Sequence, residues 1–558
     1  MEKRKSAAQP TLKNKTLTSS LSSPAAFHVL ITDPLATEGL SLLTHNSQFQ
    51  IHLKVGAPLS EWEDLLQDCH CWLVRSETKV TETLIAKAPH LKVIGRAGVG
   101  IDNIDVEAAS RRGILVMNVP GANTLAAAEH TFGLILALSR NIPQAHRDLS
   151  SGKWERKRLM GSELAGKTLG IVGLGRIGRE ISKRAQAFNM RVLAYDPYVP
   201  LEYASSLGVE VTSLENLLNT SDYITLHTSL NEKTRHLISE KTLRQVKSGA
   251  RLINCARGEL VDEKALLKAL EEGKLRGAAL DVFSQEPLPP TSALVKASQS
   301  LNLILTPHLG ASTEEAQLKV ASELARNIVD YFQQGILRNA VNLPGFDAEI
   351  LEKLGDHLSL AERLGRFSAQ VLSGGLLEVR IQCDGTYEPN QRRPLAVAAL
   401  KGLLSSIMDE SGISWVNAPL LAQERGIKLL ETATPASSDG FFKLLTVSVK
   451  TETGQQTVSG TVQPNGELRL VRFGSLTVDV VLQGKMLVLT NQDRPGVIGL
   501  IGTLLGKYKI NIADMRVGRK SAKGEAAMVI SVDEDVPAEV LKEIKSIAGI
   551  QAIHWVKL

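Results

Sequence analysis

At 558 residues the chain is too long for one core, and at roughly 100–200 residues per domain it divides into three to five units. Its 43% apolar and 22% charged residues, with 44 Gly against 21 Pro, are those of an α/β globular enzyme rather than a disordered or fibrous chain. Lys3, Arg4, Lys5, Lys13 and Lys15 against Glu2 place +4 of the net +5 in residues 1–26, so the folded part is nearly neutral, unlike a nucleic-acid binder with basic residues spread over a domain face.

The first 26 residues, rich in Lys, Ser and Thr, read as a disordered tail or as an organelle transit segment. From Phe27 onward short apolar runs alternate with helical segments: Val29–Ile31, Cys71–Val74, Val93–Ile94 and Ile114–Val116, each the length of a buried parallel strand. One long helix is expected over 124–145. A second α/β series then starts at Thr168–Val172 and continues at Val192–Ala194, Tyr223–Leu226, Arg251–Ile253 and Leu303–Leu305. Strands alternating with helices imply a doubly wound sheet with right-handed crossovers. A further long helix is expected over 314–333, with Asn342-Leu343-Pro344 as a linker. Beyond it the grammar is α+β: a helix over 345–372, a strand at 376–382, a helix at 394–408, then strands over 442–482 broken at Pro464-Asn465-Gly466. The last seventy or so residues read β-α-β-β-α-β, the ferredoxin-like order. No apolar run reaches the 18 residues of a membrane helix.

Gly173-Leu-Gly175-Arg176-Ile177-Gly178 follows an apolar strand and opens a helix. Gly173 suits the tight turn, Gly175 the approach of a pyrophosphate and Gly178 the packing of helix on strand, while the Arg176 and Ile177 amides face the phosphates. Asp196 ends the next strand, where a carboxylate accepts both ribose hydroxyls and selects NAD over NADP; the alternative is a turn-starting Asp before Pro197. Hydride removal from an alcohol carbon needs a proton acceptor, a group that tunes it and a cation for the acid's carboxylate. Three residues past strand ends supply that set: Arg257 in Asn-Cys-Ala-Arg-Gly, Glu286 in Asp-Val-Phe-Ser-Gln-Glu-Pro and His308 in Thr-Pro-His-Leu-Gly-Ala-Ser-Thr.

These blocks, in this order, resemble the D-2-hydroxyacid dehydrogenase family. Lys153-Trp-Glu-Arg156 and Arg96-Ala-Gly-Val-Gly-Ile-Asp102 narrow the resemblance to its D-3-phosphoglycerate dehydrogenases in their long form, over residues 27–558. The resemblance implies His308 as acid/base, Glu286 as its partner and Arg257 as the carboxylate clamp. It also implies NAD contacts from Val99, Thr228, Cys255, Ala256, Arg257, Asp281, His308, Leu309, Gly310 and Ala311. For the phosphate of 3-phosphoglycerate it implies Arg75, Ser76 and Lys79, the last equally readable as a solvated charge, and Arg140 from a neighbouring subunit. After the tail at 1–26 it implies five further parts: a flavodoxin-like substrate domain at 27–120, a Rossmann-type NAD domain inserted at 121–309, a return helix at 310–342, an intervening α+β domain at 343–484 carrying Val416-Asn-Ala-Pro419, and a C-terminal ACT domain at 485–558.

ACT domains bind amino acids between subunits, so the resemblance implies a homo-oligomer, dimer or tetramer, with L-serine as the effector to test at Asn491, Asp493 and Asn511. Asn491 and Asp493 stand where a related bacterial enzyme has His and Asn. No metal is expected: on a strand Cys69 and Cys71 face away from His70, and no second Cys pair completes a tetrahedral site. The four cysteines make no disulfide framework, which with the absence of a signal peptide points to the cytoplasm. Two other readings stay open, a glyoxylate or hydroxypyruvate reductase and an NAD-sensing corepressor-like scaffold.

Overall fold

The structure, a computed structural model, describes residues 27–346, 348–408, 412–434 and 440–558; the expected tail at 1–26 lies outside them. Five strands, β1 (Phe27–Ile31), β2 (Phe49–Leu53), β3 (Cys71–Val74), β4 (Val93–Arg96) and β5 (Leu115–Met117), form a parallel sheet in the order β2-β1-β3-β4-β5. This is the flavodoxin-like order. β2 has no place in the sequence expectations, because Phe-Gln-Ile-His-Leu alternates at a sheet edge instead of running apolar; its burial falls from Phe49 to the exposed Leu53.

The second sheet is also parallel. It comprises β6 (Thr168–Val172), β7 (Arg191–Tyr195), β8 (Glu210–Val211), β9 (Tyr223–Leu226), β10 (Ala250–Asn254), β11 (Leu275–Leu280) and β12 (Leu303–Leu305), in the order β12-β11-β10-β9-β6-β7-β8. Its strand order reverses between β6 and β9, the crevice where dinucleotides bind in such folds. β11 is central yet escapes a periodicity search because Leu-Arg-Gly-Ala-Ala-Leu is made of small residues. Gly277 there faces Asn302 so closely that a Cβ would stand 2.9 Å from its carbonyl oxygen.

The helix expected over 124–145 is two. Thr124–Arg140 ends at Asn141, whose left-handed φ of 52° turns the chain into Ile142–Ser150. Asn tolerates that conformation better than most side chains, and its amide donates to the Leu159 carbonyl at 3.3 Å. The return helix Glu314–Gln334 is capped by the Thr313 hydroxyl on the Ala316 amide and stopped by Gly335 at φ 69°. Its Val320, Leu324 and Ile328 join Val29, Ile31, Leu73 and Val93 in one core, so the chain leaves the first sheet at β5, builds the second and comes back. Asn342, expected in a linker, is instead stitched to the first sheet: its amide donates to Ser110 and Ile114, and its carbonyl accepts the Val116 N–H at 2.9 Å.

The remaining strands make two more sheets. β13 (Leu376–Gly385), β14 (Lys428–Thr434), β15 (Lys443–Thr451), β16 (Gln455–Val462), β17 (Leu468–Phe473) and β18 (Leu476–Val481) lie in the order β14-β13-β15-β16-β17-β18, under the helices Ala348–Gln370 and Pro389–Ser405. The polar edge strand β14 is another element absent from the sequence reading. β19 (Lys485–Gln492), β20 (Ile512–Arg519), β21 (Glu525–Val532) and β22 (Ile550–Lys557) form an antiparallel sheet in the order β20-β21-β19-β22, as the β-α-β-β-α-β reading requires. Among the described residues no helix is long and apolar enough to cross a membrane.

Candidate active site

The turn after β6 is built by its glycines. Gly173 has φ 97°, and a Cβ there would meet the His227 carbonyl oxygen at 2.5 Å; a Cβ on Gly178 would stand 2.2 Å from the Gly173 oxygen. At Gly175 a Cβ would meet nothing within 4 Å. Gly175 also N-caps the helix Arg176–Ala187 with no side-chain cap bond, which leaves the first amides facing free space where an anion is favoured. Asp196 takes the turn role at the end of β7. Its Oδ2 accepts the Leu174 amide and its Oδ1 the Tyr198 amide, each at 2.9 Å, so the loop and the turn together hold a carboxylate at the end of β7. These residues fit a dinucleotide: room at Gly175, open amides, and an acid placed for a ribose diol.

Loops from both parallel sheets converge on a cavity of about 320 Å³ between them. From the second sheet come Thr228, Cys255, Ala256, Arg257, His308, Gly310 and Ala311; from the first come Arg75, Ser76, Arg96 and Val99. The Asn254 side chain shapes the loop after β10, accepting from the Ala256 amide at 3.0 Å and donating to the Arg257 carbonyl at 2.8 Å. Arg257 then reaches across, its Nε donating to Asp102 of the first sheet's loops at 2.7 Å. The His308 Nδ1–H donates to Glu286 at 2.8 Å, and the other Glu286 oxygen accepts the Phe283 amide at 3.0 Å. Burial works to raise the Glu286 pKa, but the hydrogen bond and charge of His308 and the Phe283 amide outweigh it and hold the carboxyl below its usual range. The imidazole Nε2 remains for proton exchange.

Arg96 ends β4. Its side chain enters the cavity beside Arg75 and Arg257, and burial, followed by the repulsion of Arg257 and Arg75, lowers its pKa to about 10. Three guanidinium groups and no carboxylate line this cavity. The signal was present in Arg96-Ala-Gly-Val-Gly, but a lone charge in a sequence does not say which way it points, and its partners lie 21 and 161 positions away.

Other residues named from sequence are placed elsewhere. Lys79 is exposed and outside the cavity lining, as is Arg140 at the end of its helix. Asp281 is wholly buried beneath the cavity, its carboxylate taken by Thr306, His130 and the Leu309 and Gly310 amides. Cys255 lines the cavity with its thiol pushed up to about 12 by burial, which disfavours the reactive thiolate. In the last sheet, the Asn491 amide donates to the Gln492 carbonyl, Asp493 pairs with Arg519 at 2.6 Å, and Asn511 donates to Asp533. Asn491 and Asn511 sit near opposite ends of β19 and β21, six strand residues or about 20 Å apart. One subunit therefore does not bring them together.

The doubly wound sheet, the acid at β7 and the His–Glu pair facing an arginine cluster define an NAD-dependent oxidoreductase of 2-hydroxy acids. Three family descriptions match the chain: "D-isomer specific 2-hydroxyacid dehydrogenase, NAD binding domain" over 132–310, "D-3-phosphoglycerate dehydrogenase intervening domain" over 353–474 and "ACT domain" over 485–549. D-3-phosphoglycerate dehydrogenase of Synechocystis sp. is 42% identical over 95% of this chain and 94% of its own length. That of Methanocaldococcus jannaschii is 42% identical over 95% and 99%. Among solved structures, D-lactate dehydrogenase from Aquifex aeolicus, complexed with NAD and lactic acid, is 30% identical with a TM-score of 0.50, covering 55% of this chain and 96% of its own. The chain belongs to the D-3-phosphoglycerate dehydrogenase family.

Proposed function

We propose that this chain oxidises 3-phospho-D-glycerate to 3-phosphooxypyruvate, the entry step of L-serine synthesis. The observation that carries the reading is the cavity wall: Arg75, Arg96 and Arg257 meet there with no acid among its lining residues. A monoanionic hydroxy acid needs one guanidinium, whereas an acid bearing a phosphate near charge −2 as well as a carboxylate calls for more.

When bound, NAD supplies the hydride acceptor. Arg257 binds the substrate carboxylate, and its ion pair with Asp102 fixes the guanidinium in advance. His308 Nε2 takes the C2 hydroxyl proton as the C2–H bond breaks and the carbonyl forms. Glu286 stabilises the resulting imidazolium and fixes the ring's orientation, the usual division of labour in a His–carboxylate pair. Val99, Thr228, Ala256, Gly310 and Ala311 are assigned to the nicotinamide end of the cofactor, Gly173 to Gly178 to the pyrophosphate, and Asp196 to the adenosine ribose. Arg75 and Ser76 are assigned to the substrate phosphate; Lys79 is not, since it stands outside the wall.

We assign the domains as read from sequence, with the first sheet and return helix as substrate domain. A homo-oligomer is supported by the apolar side chains exposed next to Arg140, which include Ile142, Leu149, Trp154 and Met160, and a neighbour docking there would carry Arg140 toward the site. Pairing of C-terminal sheets from two subunits would likewise join Asn491 and Asp493 of one to Asn511 of the other, and we assign L-serine to that junction. The compartment we assign is the cytoplasm. The test is initial NADH formation with 3-phosphoglycerate and with D-glycerate: at least a hundredfold higher kcat/KM is expected for the phosphorylated acid. Equal turnover overturns the assignment in favour of an unphosphorylated 2-hydroxy acid.

A further inference from the structure

His130 lies on the helix Thr124–Arg140, outside every role assigned above. Its Nε2 stands 3.1 Å from Asp281 Oδ1 and 3.3 Å from the Thr306 hydroxyl. Asp281 is the hub of the loop that carries His308. Its Oδ1 accepts the Thr306 hydroxyl at 2.6 Å and the Leu309 amide at 2.8 Å, its Oδ2 accepts the Gly310 amide at 2.8 Å, and its backbone carbonyl accepts the His308 amide at 2.9 Å. Those bonds bracket His308 on both sides. They matter because His308 has φ 54°, a left-handed conformation that a side chain other than Gly adopts at some cost and keeps only where its surroundings over-determine it.

His130, Cys255 and Asp281 also form a grouping whose ligand atoms lie within 4.8 Å of one another, so a metal site needs weighing. Two facts argue against it. Both Asp281 oxygens already accept amides, and the buried Cys255 thiol resists the deprotonation that a metal ligand needs. The carboxylate is also held in its charged form, for although burial works against it, the bonds from His130, Thr306 and Leu309 win and lower its pKa. An imidazole N–H aimed at such an oxygen supplies the side-chain donor that backbone amides from the loop cannot, from an element outside the loop.

We propose that His130 is a positioning residue for the hydride-transfer reaction, fixing Asp281 and Thr306 and through them the left-handed turn that aims His308 at Glu286 and the cavity. This rests on the assignment of His308 as the acid/base. His130 touches neither substrate nor cofactor in this role, and it acts by geometry: a loop released at Asp281 lets His308 relax toward ordinary backbone angles and away from its proton-transfer position, where a misplacement near 1 Å costs on the order of 100-fold in rate.

The experiment uses the full-length enzyme with 3-phosphoglycerate and NAD, and compares His130→Leu, which keeps bulk but loses the donor, with His130→Gln, whose amide places an N–H near the Nε2 position. His130→Leu is expected to lose about tenfold in kcat with KM for both substrates within twofold. The deuterium isotope effect measured with substrate labelled at C2 should rise, because the chemical step becomes slower relative to product release. His130→Gln should restore most of the rate and the wild-type isotope effect. Unchanged kcat in His130→Leu, or equal loss in both variants with an unchanged isotope effect, overturns the proposal. His308→Asn is run beside them: if it retains activity, it is the acid/base assignment that fails, whatever His130 does.

Discussion

The cleft between the two parallel sheets and the C-terminal antiparallel sheet both hold polar residues at strand ends, yet they use them differently. In the cleft, charged side chains converge: Arg75, Arg96, Arg257 and His308 share one cavity although 233 positions separate the first from the last. In the C-terminal sheet the polar groups are spent on near neighbours, Asp493 on Arg519 and Asn511 on Asp533, and the two halves of the expected effector site lie at opposite ends of the strands. Parallel strands gather their carboxyl ends on one side of a sheet, so one chain brings its arginines, glutamate and histidine together there. Antiparallel strands send successive loops to opposite ends, and under the pairing proposed above a second copy would close the distance.

Variants break or sharpen that contrast in a definite order. His308→Asn should cost the most, about 10³-fold in kcat, with NAD affinity by fluorescence titration unchanged; a loss below tenfold would remove the cleft's claim to the chemistry. Glu286→Gln should cost about 10- to 100-fold. Because the folded Glu286 pKa is lowered, this carboxylate stays ionised as pH falls through the ordinary carboxylate range, and the loss in Glu286→Gln should hold undiminished across that range in the pH–rate profile. A loss that shrinks as the pH falls toward the ordinary carboxylate range contradicts the role assigned to Glu286. Asp196→Asn keeps an acceptor for one of the two amides that Asp196 now holds, Leu174 or Tyr198, and removes the charge; it should narrow the preference for NAD over NADP by about tenfold, read as a ratio of kcat/KM values.

Asn511→Ala should have the smallest effect on turnover, within twofold, while abolishing inhibition by L-serine where the wild type shows it. A large loss of basal activity in Asn511→Ala would mean that the C-terminal sheet is part of the catalytic machinery, and the division between convergent and divided sites would fall.

Legibility in the sequence followed periodicity and spacing. Fully buried strands such as Cys71–Val74 and Tyr223–Leu226, and the strand-turn-helix around Gly173, are local patterns that announce themselves. β2, β11 and β14 do not, since an edge strand needs only one buried face and a strand of small residues carries a weak apolar signal. The break at Asn141 was hidden because helical periodicity continues on both sides of a single left-handed residue. Arg96, Asp102 and His130 went unassigned because each acquires its meaning from a partner far along the chain.

What the sequence determined by itself, then, was the set of parts: a glycine turn, an acid after the next strand, and an arginine, glutamate and histidine in the order that names a hydroxy-acid dehydrogenase. These are short-range requirements of backbone geometry and reaction chemistry, and they leave their mark on neighbouring residues. The tertiary structure alone decided that three arginines share a cavity wall in which Asp102 pairs with one of them from outside the lining, that Lys79 stays outside it, and that Asp281 is buried under the loop it organises. Such facts depend on how sheets 150 residues apart come to face one another, because charge density and desolvation are properties of a volume and no window along the chain contains that volume.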